Sequence, residues 1–416
     1  MQFAHRFSKT TIILFIIILS TVFLGLTQQA SAHATLEKVT PMENSEVDNP
    51  PNNIKLQFNE PVHAKYSSIK LFDDKGKQIS EIKPDTSAST QTLSFTVHDL
   101  DSGTHRVQWH TMSADGHEIS NSFEFSIGKA TAGHIDTSIP IYEKADFWFG
   151  LIRFITEGSI IVFTGVFLVN QLAKRQKIMY FSTHQYKKPI IWIIAMLTVM
   201  TGAMYLMTLS SDVVTDIITL QTATLSQTPF ILTIIAIIVL LFLFTLRNMM
   251  HVWYILVSIS LLVTLSMSGH AWSQSVPLWS IMIRTMHISG IALWIGALIY
   301  LVYVVKTHRP YDVKQIRNFL LKVNITAVML IIISGVLMSI DQTNILGIWS
   351  NIQTWSALLI VKALVTLLMM LLGFYQTTRA LKIRQRANKK ALYLELILGL
   401  LLILVGVIMS QINIPG

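Results

Sequence analysis

The chemistry available to this chain is that of histidine, carboxylate and thioether groups, because it contains no cysteine. That excludes disulfides, thiolate metal sites and cysteine nucleophiles. The first informative stretch is Ala30-Ser31-Ala32-His33, where a small-x-small cleavage signature precedes a histidine. Cleavage after Ala32 would leave His33 with a free α-amine. The amine and the imidazole Nδ1 can close a chelate ring on one metal ion, and a second imidazole can complete a plane of three nitrogens. Amine and imidazole donors suit Cu(II), which favours tetragonal N/O geometry and heads the divalent affinity series. The segment "SADGHEIS" offers Asp115 and His117, two residues apart on a turn entering a strand, where alternate residues share a face. A lone histidine is more often a packing residue than a ligand. The combination of a terminal His, a carboxylate–His pair and an acidic surrounding region favours a cation.

A second group lies in apolar sequence. His270 stands in "SMSGHAWS", three residues after Met267, and His287 stands in "IRTMHISG", next to Met286. A short loop joins the two runs, so both imidazoles can meet at one membrane face. Thioethers suit Cu(I) and imidazole suits either oxidation state. Most of the 18 methionines are packing residues; Met267 and Met286 are the candidates for a membrane copper site with His270 and His287. Ionisable groups inside spans are costly and face the bundle interior. Glu157 and Lys362 lie midway along their runs and are expected to pair at similar depth, and Glu395 lies near the inner end of the last run.

These groups must be positioned by two kinds of structure. Residues 1–32 read as a signal peptide: His5, Arg6 and Lys9 precede an apolar core at residues 12–26, which is short for a span. Residues 33–128 read as a small all-β domain, an Ig-like or Greek-key sandwich. Short strands are expected at residues 54–58, 68–72, 93–97, 105–109 and 122–127, separated by turn-rich segments such as "DNPPNN" and "DLDSG". Residues 129–146 read as a polar linker. Residues 147–416 read as an all-α polytopic membrane domain of eight transmembrane helices, at 147–172, 189–210, 229–246, 251–268, 279–305, 319–340, 354–377 and 392–411.

Charge orients the chain. The formal net charge of +9 divides into +2 over residues 1–32, −5 over residues 33–130 and +12 over residues 131–416. The basic residues sit in loops at 173–188, 306–318 and 378–391, whereas the loops at 211–228, 269–278 and 341–353 hold no Lys or Arg. The first set is therefore expected inside and the second outside, which puts the β-domain and the C-terminus on the extracellular or periplasmic side of the cell membrane. Basic residues confined to membrane loops do not point to nucleic acid.

The stretch "AHATLEKVTPMENSEV…IKLQFNEPV" followed by "VQWHTMSADGHEISNSFEFSIG" resembles the CopC family of copper-binding proteins. The resemblance implies His33, Asp115 and His117 as Cu(II) ligands. The methionine-rich loop that supplies a Cu(I) site in some members is missing; only Met42 and Met112 remain, so no separate Cu(I) site is expected there. "GHA", "HISGIALWIGAL" and "RNFLLKVNITAVMLIIISG", with Lys362 downstream, are similar to CopD membrane proteins. The order resembles fused CopC–CopD chains of the YcnJ type, associated with copper uptake.

The expected function is therefore copper acquisition: Cu(II) captured outside, then copper passed to and through the membrane domain as Cu(I) or Cu(II). The implied partners are copper ion, the lipid bilayer, and a copper chaperone or reductase. No Walker A or P-type ATPase segment is present, so nucleotide hydrolysis on this chain does not drive it. One alternative is a copper-binding sensor or tolerance protein without transport. A lesser one is a membrane haem or copper redox enzyme; the expectation is that the chain is not an enzyme.

Overall fold

The computed structural model describes residues 34–113, 118–137, 140–181, 187–268, 276–307, 311–342, 354–383 and 386–411. The chain forms two compact units. One comprises residues 28–147 together with Tyr205–Pro229; the other holds the rest of the helical sequence.

The β unit contains β1 (Leu36–Thr40), β2 (Glu46–Val47), β3 (Asn53–Phe72), β4 (Gln78–Ile82), β5 (Ser89–Thr96), β6 (Gly103–Ser113) and β7 (Glu118–Ile127). The sheet runs β1-β3-β6-β7-β2, with β4 and β5 also paired to β3. The stretches expected as separate strands at 54–58 and 68–72 are one 20-residue strand, β3. Its first half pairs with β1 and β5, and its second half with β4 and β6. Pro61 does not end it, because it falls where the β5 register slips between Gln57 and Val62 and no ladder donor is required. Changing partners along one strand wraps the sheet around a single core of Ile54, Leu56, Phe58, Val62, Leu93, Phe95, Val107, Trp109 and Phe125. Trp109 meets Phe58 edge-on at 5.5 Å.

Two further segments are fastened to this sheet. Thr104 and Thr131 exchange hydrogen bonds between backbone N–H and side-chain oxygen, each 3.0 Å long. Arg106 donates to Glu124 at 3.0 Å and to the Ile135 carbonyl at 2.7 Å. The beginning of the linker is thus held on the domain. Residues 205–229 contribute two short helices, α3 (Ser211–Ile218) and α4 (Thr222–Gln227). Asp216 on α3 accepts from Lys65 at 2.5 Å and from Tyr66 at 2.7 Å, and Tyr66 also meets Thr224 at 2.9 Å. Lys83 reaches Asp212 at 2.5 Å.

The helical unit contains α1 (Ala145–Arg175, which starts in the β unit), α2 (Lys187–Thr208), α5 (Pro229–Thr245), α6 (His251–Ser266), α7 (Pro277–Lys306), α8 (Val313–Gln342), α9 (Thr354–Tyr375) and α10 (Lys389–Met409). Every apolar run read from the sequence is a helix, but six of them are long and apolar enough to cross a membrane. The other two, α5 and α6, have 17 and 16 residues. At about 1.5 Å per residue each extends roughly 25 Å, short of a hydrocarbon core of about 30 Å. The expected count of eight spans is therefore not reproduced on length. Local chemistry sets the ends: α7 opens with Pro277, and α10 is capped by Asn388, which accepts from Lys390 and Ala391 N–H. Outward apolar side chains such as Leu364, Leu371 and Phe374 on α9 are more than half exposed, a surface suited to hydrocarbon.

Helix α7 lies at the centre. It packs on α6, α8 and α10, and it touches α1 backbone to backbone. A Cβ on Gly165 would lie 2.0 Å from the Ala292 carbonyl oxygen, and one on Gly296 would lie 2.4 Å from Gly165. Only glycine permits that approach.

The Asp216 contacts carry a pH signature. Hydrogen bonds from Lys65 and then Tyr66 hold the Asp216 carboxyl below its ordinary value of 3.8, and the same contact holds Lys65 above 10.5. The Asp216 contribution is complete above pH 3.8 and is lost as pH falls through the lower folded value; the Lys65 contribution is lost as pH rises through its raised one. Asp216→Asn is expected to raise amide exchange across residues 211–227 about five-fold at neutral pH, equivalent to about 1 kcal/mol. The difference from the unaltered chain should vanish in acid below the ordinary aspartate range.

Candidate metal centre

The sequence assigns His33, Asp115 and His117 to one centre, and all three lie outside the described residues. Their flanks are described. Ala34 is buried. The Thr35 amide donates to Asn59 Oδ1 at 2.6 Å, and the Asn59 amide donates back to the Thr35 carbonyl at 3.1 Å. Leu36 is in register with Phe58. On the other side, Ser113 pairs with Val62 and Met112 with His63, while Met112 also pairs with Glu118 across the β6–β7 hairpin. The entry to β1 and the end of the hairpin thus attach to neighbouring stretches of β3, at 58–59 and 62–63. Strand β3 changes partners at that point, and both sides of the predicted centre hang from it.

Three other histidines of this unit have a structural partner at one ring nitrogen. The second ring nitrogens of His105 and His110 are, like one of His63, buried without a hydrogen-bond partner among the described residues. His105 Nε2 meets the Asp101 carbonyl at 2.8 Å, His110 Nδ1 meets Ser68 at 3.0 Å, and His134 meets Glu124 at 3.1 Å. His63 differs by its position next to the hairpin end. Its Nδ1 meets Ser89 Oγ at 3.1 Å, while its Nε2 is buried with no hydrogen-bond partner among the described residues. Burial lowers its pKa, so the ring is neutral at pH 7. Glu118, which follows the hairpin, accepts from the Ser210 amide at 2.7 Å, and burial raises its pKa to about 7. Met112 is fully buried and Met42 is exposed. Among the described residues no three His, Asp or Glu side chains are grouped to hold a metal.

In the helical unit, His270 lies outside the described residues. His287 is buried on α7, with Nδ1 3.0 Å from Ser334 Oγ on α8. Ser334 donates its one proton to the Leu330 carbonyl. The hydroxyl therefore accepts from His287 Nδ1–H, which assigns the lone pair to Nε2, the form a metal or a donor group can use. His287 lines a cavity of about 660 Å³ together with Met338, Met369 and Met370. Met286 precedes His287 in α7 and Met267 is buried at the end of α6, but neither is on the cavity wall.

The ionisable residues are partnered differently from the expectation. Glu157 pairs with Arg153 at 2.7 Å, one turn away on α1, and not with Lys362. Arg153 also lies over the Phe149 and Phe230 rings, 5.8 and 5.3 Å from their centroids. A cation already in place at i−4 satisfies the carboxylate without an interhelical partner. Lys362 lines the cavity, and no described residue pairs with it. Glu395 is buried and accepts from the Trp294 indole at 2.9 Å, and Asp341 accepts from Ser280 at 2.5 Å.

The sequence reading overlooked Arg153 and Arg284. Arg284 also faces the cavity, one turn before His287, and donates to the Ser268 carbonyl. The signal was present in "RTMHISG", where a cation stands three residues before the imidazole. Arg284 and Lys362 oppose a bare copper ion beside His287.

Removing one member of the Arg153–Glu157 pair leaves the other charge buried. Glu157→Gln is expected to destabilise the purified protein by about 3–5 kcal/mol, read as a lowered thermal midpoint in detergent. The double variant Arg153→Met with Glu157→Leu should recover most of that loss.

Residues 36–128 match the CopC domain. The copper transport protein CutJ of Bacillus subtilis (strain 168) is 36% identical over 121 residues, which is 28% of this chain and 22% of CutJ. Protein YobA of Escherichia coli (strain K12) is 31% identical over 104 residues, 24% of this chain and 84% of YobA. The crystal structure of CopC from Methylosinus trichosporium OB3b shares 29% identity, covering 23% of this chain and 94% of that one with a TM-score of 0.22. The match thus spans most of YobA but about a fifth of CutJ. With residues 36–128 matching the CopC domain and 84% of YobA covered at 31% identity, the chain belongs to the CopC family.

Proposed function

We propose that this protein acquires copper. Its β-domain captures Cu(II) outside the cell membrane, and a CopD-like membrane half receives the ion and carries it inward. The observation that carries this reading is the joining of a CopC domain to six helices able to cross a membrane on one chain. CutJ is named a copper transport protein, and the same activity is assigned here as a proposal.

In this reading a signal peptidase cuts after Ala32, and His33, Asp115 and His117 hold Cu(II). His270, His287, Met267 and Met286 are the stations in the membrane half, with His287 Nε2 as the donor atom. A copper chaperone or reductase handles the ion on one side or the other. The chain acts as a carrier and not as a catalyst. The loops lacking Lys and Arg lie outside. The contact of residues 211–227 with β3 supports this, since that loop and the β-domain share one side. The second reading, copper binding without transport, draws on the two cations beside His287, which disfavour a bare cation there.

The deciding experiment measures cell-associated and internal copper in copper-limited cells producing the full chain. Uptake should exceed the control. His117→Ala should lower it about ten-fold at limiting copper and less at excess, and His287→Ala should lower it at both. Equal internal copper with and without the protein would favour binding without transport.

A further inference from the structure

We propose that the cavity between α7, α8, α9 and α10 binds a single-tailed amphiphile with an anionic headgroup. Arg284 and Lys362 would take the head, and the apolar end of the cavity would take the tail. This inference rests on the charge and shape of the cavity alone and does not depend on the copper reading.

The cavity is built lengthwise. Its polar wall groups are Arg284, His287, Ser339, Lys362, Thr366 and Ser410, and no Asp or Glu is among them. Lys362 Nζ lies 4.0 Å from where a Cβ on Gly406 would stand, which ties α9 to α10 at the level of the cations. On α7, Trp294 and Ile295 lie ten and eleven residues beyond Arg284, about 15 Å along the axis. At that level a Cβ on Gly399 would stand 3.4 Å from Met369 and 3.5 Å from Ile295. The Trp294 indole N–H is already given to Glu395, so this end offers apolar surface. One end is cationic and the other apolar.

Neither cation has a carboxylate of its own: Glu157, the acidic group near Arg284, is already paired with Arg153. Arg284 donates to a neutral carbonyl, and Lys362 has no partner among the described residues. An isolated cation in a low-dielectric wall is costly, and an anion held between the two offsets that cost. A carboxylate or a phosphodiester meets the need, since both accept from guanidinium and ammonium donors. In this proposal the amphiphile enters laterally from the hydrocarbon between α8 and α9, which pack mainly on α7 and on α10 respectively. A volume of about 660 Å³ is in the range that encloses one small ligand.

The test uses the full chain purified in a non-ionic detergent. Palmitate and 1-palmitoyl-lysophosphatidylglycerol are titrated in parallel, with methyl palmitate as the uncharged control. The expected result is saturable binding of one anion per chain, about ten-fold tighter than the methyl ester. Tighter palmitate would assign a carboxylate head, and tighter lysophosphatidylglycerol a phosphodiester. Lys362→Met should weaken either by about ten-fold. Gly399→Leu keeps both cations and fills the apolar end, so it should also weaken binding. Three results would each overturn the proposal: no saturable binding of either anion, equal binding of the methyl ester, or binding unchanged in both variants.

Discussion

Taking charge out of water is the most expensive requirement in the helical half, and the placement of its side chains follows from it. A buried ion needs a counter-charge or strong hydrogen-bond partners. Arg153 and Glu157 meet that need within one turn of one helix. Glu395 meets it with the Trp294 indole and Asp341 with the Ser280 hydroxyl, both across helices. Arg284 meets it in part, through the Ser268 carbonyl, and Lys362 has no side-chain partner among the described residues; both face the same cavity. Helix α7 brings these groups together because Gly165 and Gly296 let it press against α1. A helix held backbone to backbone has little freedom to turn its polar face elsewhere.

The β-domain solves a different problem. Strand β3 pairs with β1 in one half and with β6 in the other, so the entry to β1 and the end of the β6–β7 hairpin attach to adjacent parts of one strand. Thr35 and Ser113, 78 positions apart in sequence, are thus held by one strand. The same domain secures the start of the linker through Thr104 and Arg106, and residues 211–227 through Lys65, Tyr66 and Lys83.

Much of this was legible in the sequence because the signals were periodic or compositional. Each apolar run became a helix with ends close to those expected, since hydrocarbon demands one long uninterrupted stretch. The all-β character followed from short alternating runs between turn residues. What was not legible involved contacts made across space. The alternating runs at 54–58 and 68–72 are joined in one strand, β3, through a register shift between Gln57 and Val62 that no periodicity announces. Glu157 was matched with Lys362 by depth, whereas the nearer Arg153 was passed over. The docking of residues 211–227 left no mark beyond two aspartates in an apolar loop.

The central claim is that this chain captures Cu(II) through a terminal histidine. The direct measurement is a Cu(II) titration of the full-length processed protein, followed by electron paramagnetic resonance, on two forms. One begins at His33 and the other retains Ala32 ahead of it. The account predicts one tight, nitrogen-rich site in the first form and its loss in the second, because the extension converts the chelating amine into an amide. Identical affinity and spectra for both forms would contradict it.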